Sequence, residues 1–150
     1  MQARQWTPQD TEILLGWVDE DPDMPTDLGM PEGSDKNSVF DMVNRLLLED
    51  NSLLLAVDSE DGLLGFMAAA NVQRDGSCIG IVGVSPHHRG KGGLVMRSAI
   101  NVAFQQVGIE RIISTVNKGR DRFAELHKSL GFKPPEVDVY VLSKEDWSEE

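Results

Sequence analysis

Val82-Gly83-Val84-Ser85-Pro86-His87-His88-Arg89-Gly90-Lys91-Gly92-Gly93-Leu94 runs from an apolar strand through a basic glycine turn into a helix without a break, and the rest of the chain is arranged around it. Ile79, Ile81, Val82 and Val84 form a β-branched run closed by Pro86, which cannot donate to a sheet ladder. Past the glycines, Leu94, Met96, Ile100, Ala103, Phe104 and Val107 recur at helical spacing. This predicts a helix from about Gly92 with those residues as its apolar face and Gly108 as its stop. The first amides of such a helix have no partner within it and point from its positive end into the turn. Gly90, Gly92 and Gly93 place no Cβ in the way, and Arg89 and Lys91 add positive charge, so the corner suits an anion such as a pyrophosphate. Basic glycine turns also occur simply to reverse the chain. Neither G-x-x-x-x-G-K-[ST] nor G-x-G-x-x-G is present, so a nucleoside triphosphate or a dinucleotide is not the first expectation.

Arg89-Gly90-Lys91-Gly92-Gly93 after Val84-Ser85-Pro86 resembles the acetyl-coenzyme A turn of the GNAT superfamily of N-acetyltransferases, Q/R-x-x-G-x-G/A following a strand. Leu126-His127-Lys128-Ser129-Leu130-Gly131-Phe132 resembles the family's late helix, which ends in a Leu-Gly-Phe corner, and Arg111 to Asn117 lies where the family has its fifth strand. The last Gly/Ala of the turn pattern falls on Leu94, and the tyrosine many members carry before the corner falls on His127.

The resemblance implies an α/β (α+β) fold with a central mixed, mostly antiparallel sheet of about six to seven strands flanked by about four helices. Its parallel strands are splayed at the coenzyme. It implies acetyl-CoA as cosubstrate, held by Val82, Gly83, Val84, Arg89, Gly90, Lys91, Gly92, Gly93, Leu94 and Asn117, with a bulge in the strand that pairs with the pantetheine arm. It also implies His127 as the catalytic acid that protonates the leaving thiolate. Many members carry a glutamate base on the strand before the turn, but Ser77 to Val84 holds no carboxylate; Glu49, Asp50 and Asp75 are candidates by chain position only. Gln9-Asp10, Trp17-Val18-Asp19 and Glu145-Asp146-Trp147 look most like the branch that modifies ribosomal-protein N-termini and small amines.

The 150 residues suit one domain spanning 1–150. At 40% hydrophobic and 26% charged, the composition is that of a soluble globular chain. No apolar run approaches the ~20 residues that span a bilayer, and Met1 to Trp6 lacks the apolar core of a signal peptide, so a cytoplasmic location without a membrane partner is expected. The lone Cys78 excludes an internal disulfide, and it and the three histidines have no ligand spacing, so no metal is expected. A net charge of -11 argues against direct nucleic-acid binding; it favours cationic partners or serves solubility alone.

In chain order, Gln2 to Trp6 reads as a strand, and Thr7-Pro8 opens a helix that buries Ile13, Leu14, Trp17 and Val18 and ends near Asp19. Asp19 to Asp35 loses its period and reads as a long loop carrying Asp19, Glu20, Asp21, Asp23, Asp27, Glu32 and Asp35 without a basic residue. The resemblance places it beside the acceptor pocket; a solvated acidic loop is the plain alternative. Ser34 or Asp35 caps a second helix burying Val39, Phe40, Val43, Leu46 and Leu47. Strands at Leu53–Val57 and Leu63–Val72 flank an Asp-Gly turn, and a third strand leads to the glycine corner. Asp121 to Leu130 forms the last helix, with Phe123, Leu126, His127 and Leu130 on neighbouring faces, and Val137 to Leu142 the last strand. The function expected is acetyl-CoA-dependent acetyl transfer to a primary amine, either a small cationic amine or a peptide N-terminus, by a monomer or homodimer. The alternatives are a catalytically inactive acyl-CoA-binding sensor or interaction module with the same fold, and a phosphate-binding structural protein.

Overall fold

Two consecutive strands, β2 (Leu53–Ser59) and β3 (Gly62–Ala70), are apolar on both faces, and β3 is buried at every residue after Gly62. A strand of that kind needs cover on both sides. The computed structural model, which describes residues 2–88, 90–115, 121–136 and 139–147, supplies it with two helical layers. Helices α1 (Pro8–Glu20), α2 (Met24–Asp27) and α3 (Lys36–Leu48) cover one face, packing Leu14, Trp17, Val39 and Val43 on Leu54, Ala56, Phe66 and Ala68. Helices α4 (Gly92–Gln105) and α5 (Asp121–Ser129) lie on the other, where Val95, Met96, Ala99 and Ile100 meet Leu55, Val57, Leu64 and Met67.

The sheet is completed by β1 (Gln2–Gln5), β4 (Ser77–Val84), β5 (Arg111–Thr115), β6 (Lys133–Glu136) and β7 (Val139–Ser143), in the order β1-β2-β3-β4-β5-β7-β6. β2, β3 and β4 form the expected antiparallel meander, and β4 and β5 are parallel, as their connection through α4 requires. With seven strands and five α-helices among the described residues, the architecture is the mixed α/β one expected from the sequence.

Several expectations are corrected. Residues 19–35 are not one loop: α1 runs on through Glu20, and α2 buries Met24 and Pro25. The strand Lys133–Glu136 was hidden by Pro134 and Pro135, which a sheet tolerates here because β6 is its edge. Ile13, Phe40, Leu47, Leu94 and Val107 are exposed, while Met42, Val95 and Ala99 are buried in their place. On α4 the buried pairs 95/96, 99/100 and 103/104 follow a helical face turned slightly from the one the spacing marked. That helix is capped by Gln106, and the positive φ of Gly108 turns the chain two residues later. Val137 and Asp138 of the expected last strand, and the Phe123 side chain, lie outside the described residues.

Asp10 locks the start of α1. It accepts from the Thr7 amide at 2.8 Å and the Thr7 hydroxyl at 2.9 Å, and takes a forked pair from Arg4 at 2.8 and 2.9 Å. Arg4 also bonds Asp58 on the neighbouring strand. Burial works against the Asp10 charge, but the donors of Arg4 and Thr7 outweigh it and hold the carboxyl below its usual range. At the other end of the chain, Trp147 docks on α4, where its indole N–H donates to Asn101 at 2.7 Å and Arg97 lies over its ring.

Candidate active site

The basic glycine corner is built by hydrogen bonds that the strand itself begins. The Ser85 amide donates to Leu64 O at 2.8 Å, carrying the β3 pairing one step past β4. The buried Ser85 hydroxyl accepts from the His87 amide and its carbonyl from the His88 amide, winding Pro86–His88 into a 3₁₀ turn. Gly90 then reverses the chain at φ +94, a left-handed conformation that favours glycine, and Lys91 caps α4. The Lys91 carbonyl accepts from both Leu94 and Val95, so the amides of Gly92 and Gly93 are the ones left without an acceptor among the described residues. No acidic residue occupies the first turn of α4. Donors, dipole and Lys91 together fit a diphosphate. Leu94, where the turn pattern departs from Gly/Ala, turns its side chain toward solvent.

Gly92 and Gly93 have a second reason to lack a side chain. A Cβ on either would stand 3.2 Å from a Leu126 methyl of α5. Their absence lets α5 close on the start of α4, so the two motifs that carry the family resemblance meet in space.

Beside this corner the sheet opens. β4 and β5 pair only at Ser77/Arg111, Cys78/Ile112 and Ile79/Ile113; beyond, β5 keeps β7 as its partner, while Gly80 to Val84 have none on that side among the described residues. The exposed edge is about 13 Å long at the usual strand rise, and an extended amide-bearing arm fits it as an added strand would. Val82, Gly83 and Val84 lie on this edge. The bulge is absent: β3 and β4 stay in register from Gly65/Val84 to Ala70/Ile79. Gly83 answers another need, since a Cβ there would fall 2.2 Å from the Phe66 ring, which itself meets Trp6 edge-on.

His127 of α5 lies beneath the opening, on the α4/α5 side, and is fully enclosed at 0% exposure. Its ring packs against Phe132 and Tyr140, with centroids 4.8 and 5.4 Å away, and its Nε2 lies 2.8 Å from Ser114 Oγ. Ser114 is the first residue of β5 beyond the last β4 pair. The sequence reading missed it, although a signal was present: Ser114 is the polar residue at the inward position of a strand whose other inward residue is Ile112. Arg89 and Asn117, both expected at the coenzyme, lie outside the described residues.

Of the expected base candidates, Glu49, Asp50 and Asp75 sit at the far end of the sheet. Glu49 and Asp50 precede β2, whose first residue pairs with Ala69, and Asp75 accepts from the Ser77 amide at the opposite end of β4 from the corner. The acidic segment is partly committed to structure. Asp19 pairs with Lys36 at 2.8 Å, Asp35 caps α3 through Ser38, and Asp21 and Asp27 are engaged as well. Glu20 pairs with His87 at 2.8 Å, tying the end of α1 to the turn that follows β4. On the β2–β3 side of the corner a cavity of about 300 Å³ is lined by Ser59, Glu60, Asp61, Leu64, His88 and Lys91. Among the described residues no group of histidine, cysteine and carboxylates could hold a metal ion, and no helix is long and apolar enough to cross a membrane.

A strand opened from its parallel neighbour, with a bare helix start at its end, offers an edge for an extended arm and donors for its diphosphate. The family model described as acetyltransferase (GNAT) family matches residues 14–132, and the chain belongs to that family. It is an acetyltransferase whose cosubstrate is acetyl-CoA. Among solved structures, a spermidine N-acetyltransferase from Vibrio cholerae in complex with CoA and spermine superposes with a TM-score of 0.80 at 13% identity, covering 97% of this chain and 96% of that one. A dodecameric structure of spermidine N-acetyltransferase from the same organism gives 0.73 at 14% identity, covering 95% and 93%. The Campylobacter jejuni N-acetyltransferase PseH gives 0.66 at 16% identity, covering 95% and 96%. These are likenesses of fold. None of the curated protein sequences matches the chain.

Proposed function

We propose that this chain, acting as one domain over residues 1–150, transfers the acetyl group of acetyl-CoA directly to a primary amine. The observation that carries the reading is the free β4 edge running into the unpaired amides of Gly92 and Gly93. In this arrangement the amides, Lys91 and Arg89 bind the diphosphate. The Gly80–Val84 edge holds the pantetheine amides, and a β4 amide polarises the thioester carbonyl. Asn117 adds a hydrogen bond to the coenzyme. Holding both reactants in line supplies much of the rate. The amine enters from the α1–α2 side, since α4 and α5 close the other face of the slot.

The acceptor is a small cationic amine. The acidic residues of 19–35 support this, and a structural neighbour was crystallised with spermine.

Thiol release measured on a panel of polyamines, other small amines and peptide N-termini tests the reading. Turnover on a cationic amine is expected, with CoA raising the melting temperature and ATP leaving it unchanged. CoA binding with no turnover on any amine would favour an inactive sensor of the same fold. Equal effects of CoA and ATP would mark a mere phosphate site.

A further inference from the structure

We infer that Ser114 is the group that touches the departing sulfur, and that His127 acts as its positioning residue; this rests on the acetyl-transfer reading above. His127 stands where many family members carry tyrosine, yet it is fully enclosed between Phe132, Tyr140 and β5, and its Nε2 is already engaged by Ser114 Oγ at 2.8 Å. An imidazole so placed reaches the slot through its partner. Ser114 stands at the apex of the opening, one residue past the Ile79/Ile113 pair. An arm that starts at the glycine corner and follows the edge from Val84 back to Gly80 brings its reactive end to that apex.

The chemistry asks little of the donor. The amine nitrogen bonds to the thioester carbonyl carbon, the C–S bond breaks, and its electron pair stays on sulfur. A thiol of pKa about 8.5 leaves readily as a thiolate, so one well-aimed hydrogen bond suffices. Ser114 Oγ–H donates that bond, while its lone pair accepts from His127 Nε2–H, which fixes the hydroxyl's direction and polarises it. No proton is transferred within the pair. The amine gives its proton to solvent, and the thiolate takes one from solvent on release. The low dielectric around His127 strengthens both bonds.

The test compares the wild-type protein with Ser114→Ala, Ser114→Thr and His127→Ala, using acetyl-CoA and the best amine of the panel. Ser114→Ala is expected to lower kcat between about tenfold and a hundredfold, the range for losing one donor to a charged acceptor, with KM for acetyl-CoA within about twofold. Ser114→Thr, which keeps the hydroxyl, should recover most of the rate, and His127→Ala should resemble Ser114→Ala. At one fixed pH, the ultraviolet thiolate absorbance of bound CoA should be larger in wild type than in Ser114→Ala. A merely structural serine would not alter that signal. The inference is overturned if Ser114→Ala keeps wild-type kcat, if His127→Ala alone is slow, or if the thiolate signal is equal in the two proteins. Should the wild type neither bind CoA nor acetylate any amine, the acetyl-transfer reading fails and takes this one with it. Turnover by the wild type with an unaffected Ser114→Ala sinks this inference alone.

Discussion

Asp10 and Cys78 illustrate opposite uses of burial by single residues. Both are 2% exposed. Asp10 keeps its charge because Arg4 and Thr7 supply donors, whereas Cys78 has only apolar surroundings and a carbonyl 3.5 Å away, and burial pushes its thiol up to about 11. Cys78 is therefore protonated at neutral pH and shielded. A thiol reagent should leave the native protein unmodified and label it promptly in urea; equal rates in both would contradict the assignment. Asp10→Asn leaves Arg4 with Asp58 as its remaining carboxylate partner, and should cost about 2–3 kcal/mol in urea denaturation. Because folding lowers the Asp10 pKa, its contribution is complete above the unfolded value near ~3.9 and is lost as pH falls through the folded value. The stability gap between wild type and Asp10→Asn should therefore be flat at neutral pH and narrow below about pH 4. A gap unchanged at pH 3 would refute the linkage.

At the scale of elements, strand β4 and helix α4 depend on glycines for different reasons. Gly83 lies under Phe66 of β3, and a methyl group there meets the ring itself at 2.2 Å. The ring is held in place by Trp6, whose indole N–H bonds Thr11. Gly83→Ala should cost about 2–3 kcal/mol, as overpacking against a fixed neighbour does. Gly92→Ala and Gly93→Ala crowd only the ends of Leu126, which can move, with Val84 at ordinary contact distance from Gly92, and better helix propensity offsets the contact; each should cost less than about 1 kcal/mol. Thermal or urea denaturation of the three variants decides the matter, and equal losses would mean that Phe66 yields as easily as Leu126. Position in the chain gave the glycines one role, and packing gives them another. A glycine inside an apolar strand signals close approach. Only the sheet register says that Phe66 is what approaches.

Across the whole molecule, charge and architecture divide the labour. The net charge of -11 sits beside a basic corner, and the acidic stretch of 19–35 is tied to the turn after β4 by the Glu20–His87 pair. Asp21→Asn, Asp23→Asn and Asp27→Asn combined should raise KM for a polyamine several-fold, about what the loss of a few screened charges near a cation produces, without altering CoA affinity. If neither quantity moves, the segment has no part in acceptor binding. In the acetyl transfer proposed above, the α4–α5 layer lies on the thioester's leaving side and the α1–α3 layer on its attacking side. Strand order puts the opening mid-sheet, since β4 pairs fully with β3 on one side and only at its start with β5 on the other.

The residues alone fixed what depends on local chemistry: the strand, basic glycine turn and helix, the meander before them, and the corner at Leu130-Gly131-Phe132. Those features follow from backbone preferences and short-range periodicity, which act within a few residues. What the chain could not disclose by itself are the contacts between distant residues. Which apolar side chains of α1, α3 and α4 turn inward is one case, and the hold of Phe66 over Gly83 is another. The third is the meeting of Ser114 with His127, because a serine on one strand and a histidine on a later helix become partners only after the sheet has set their positions.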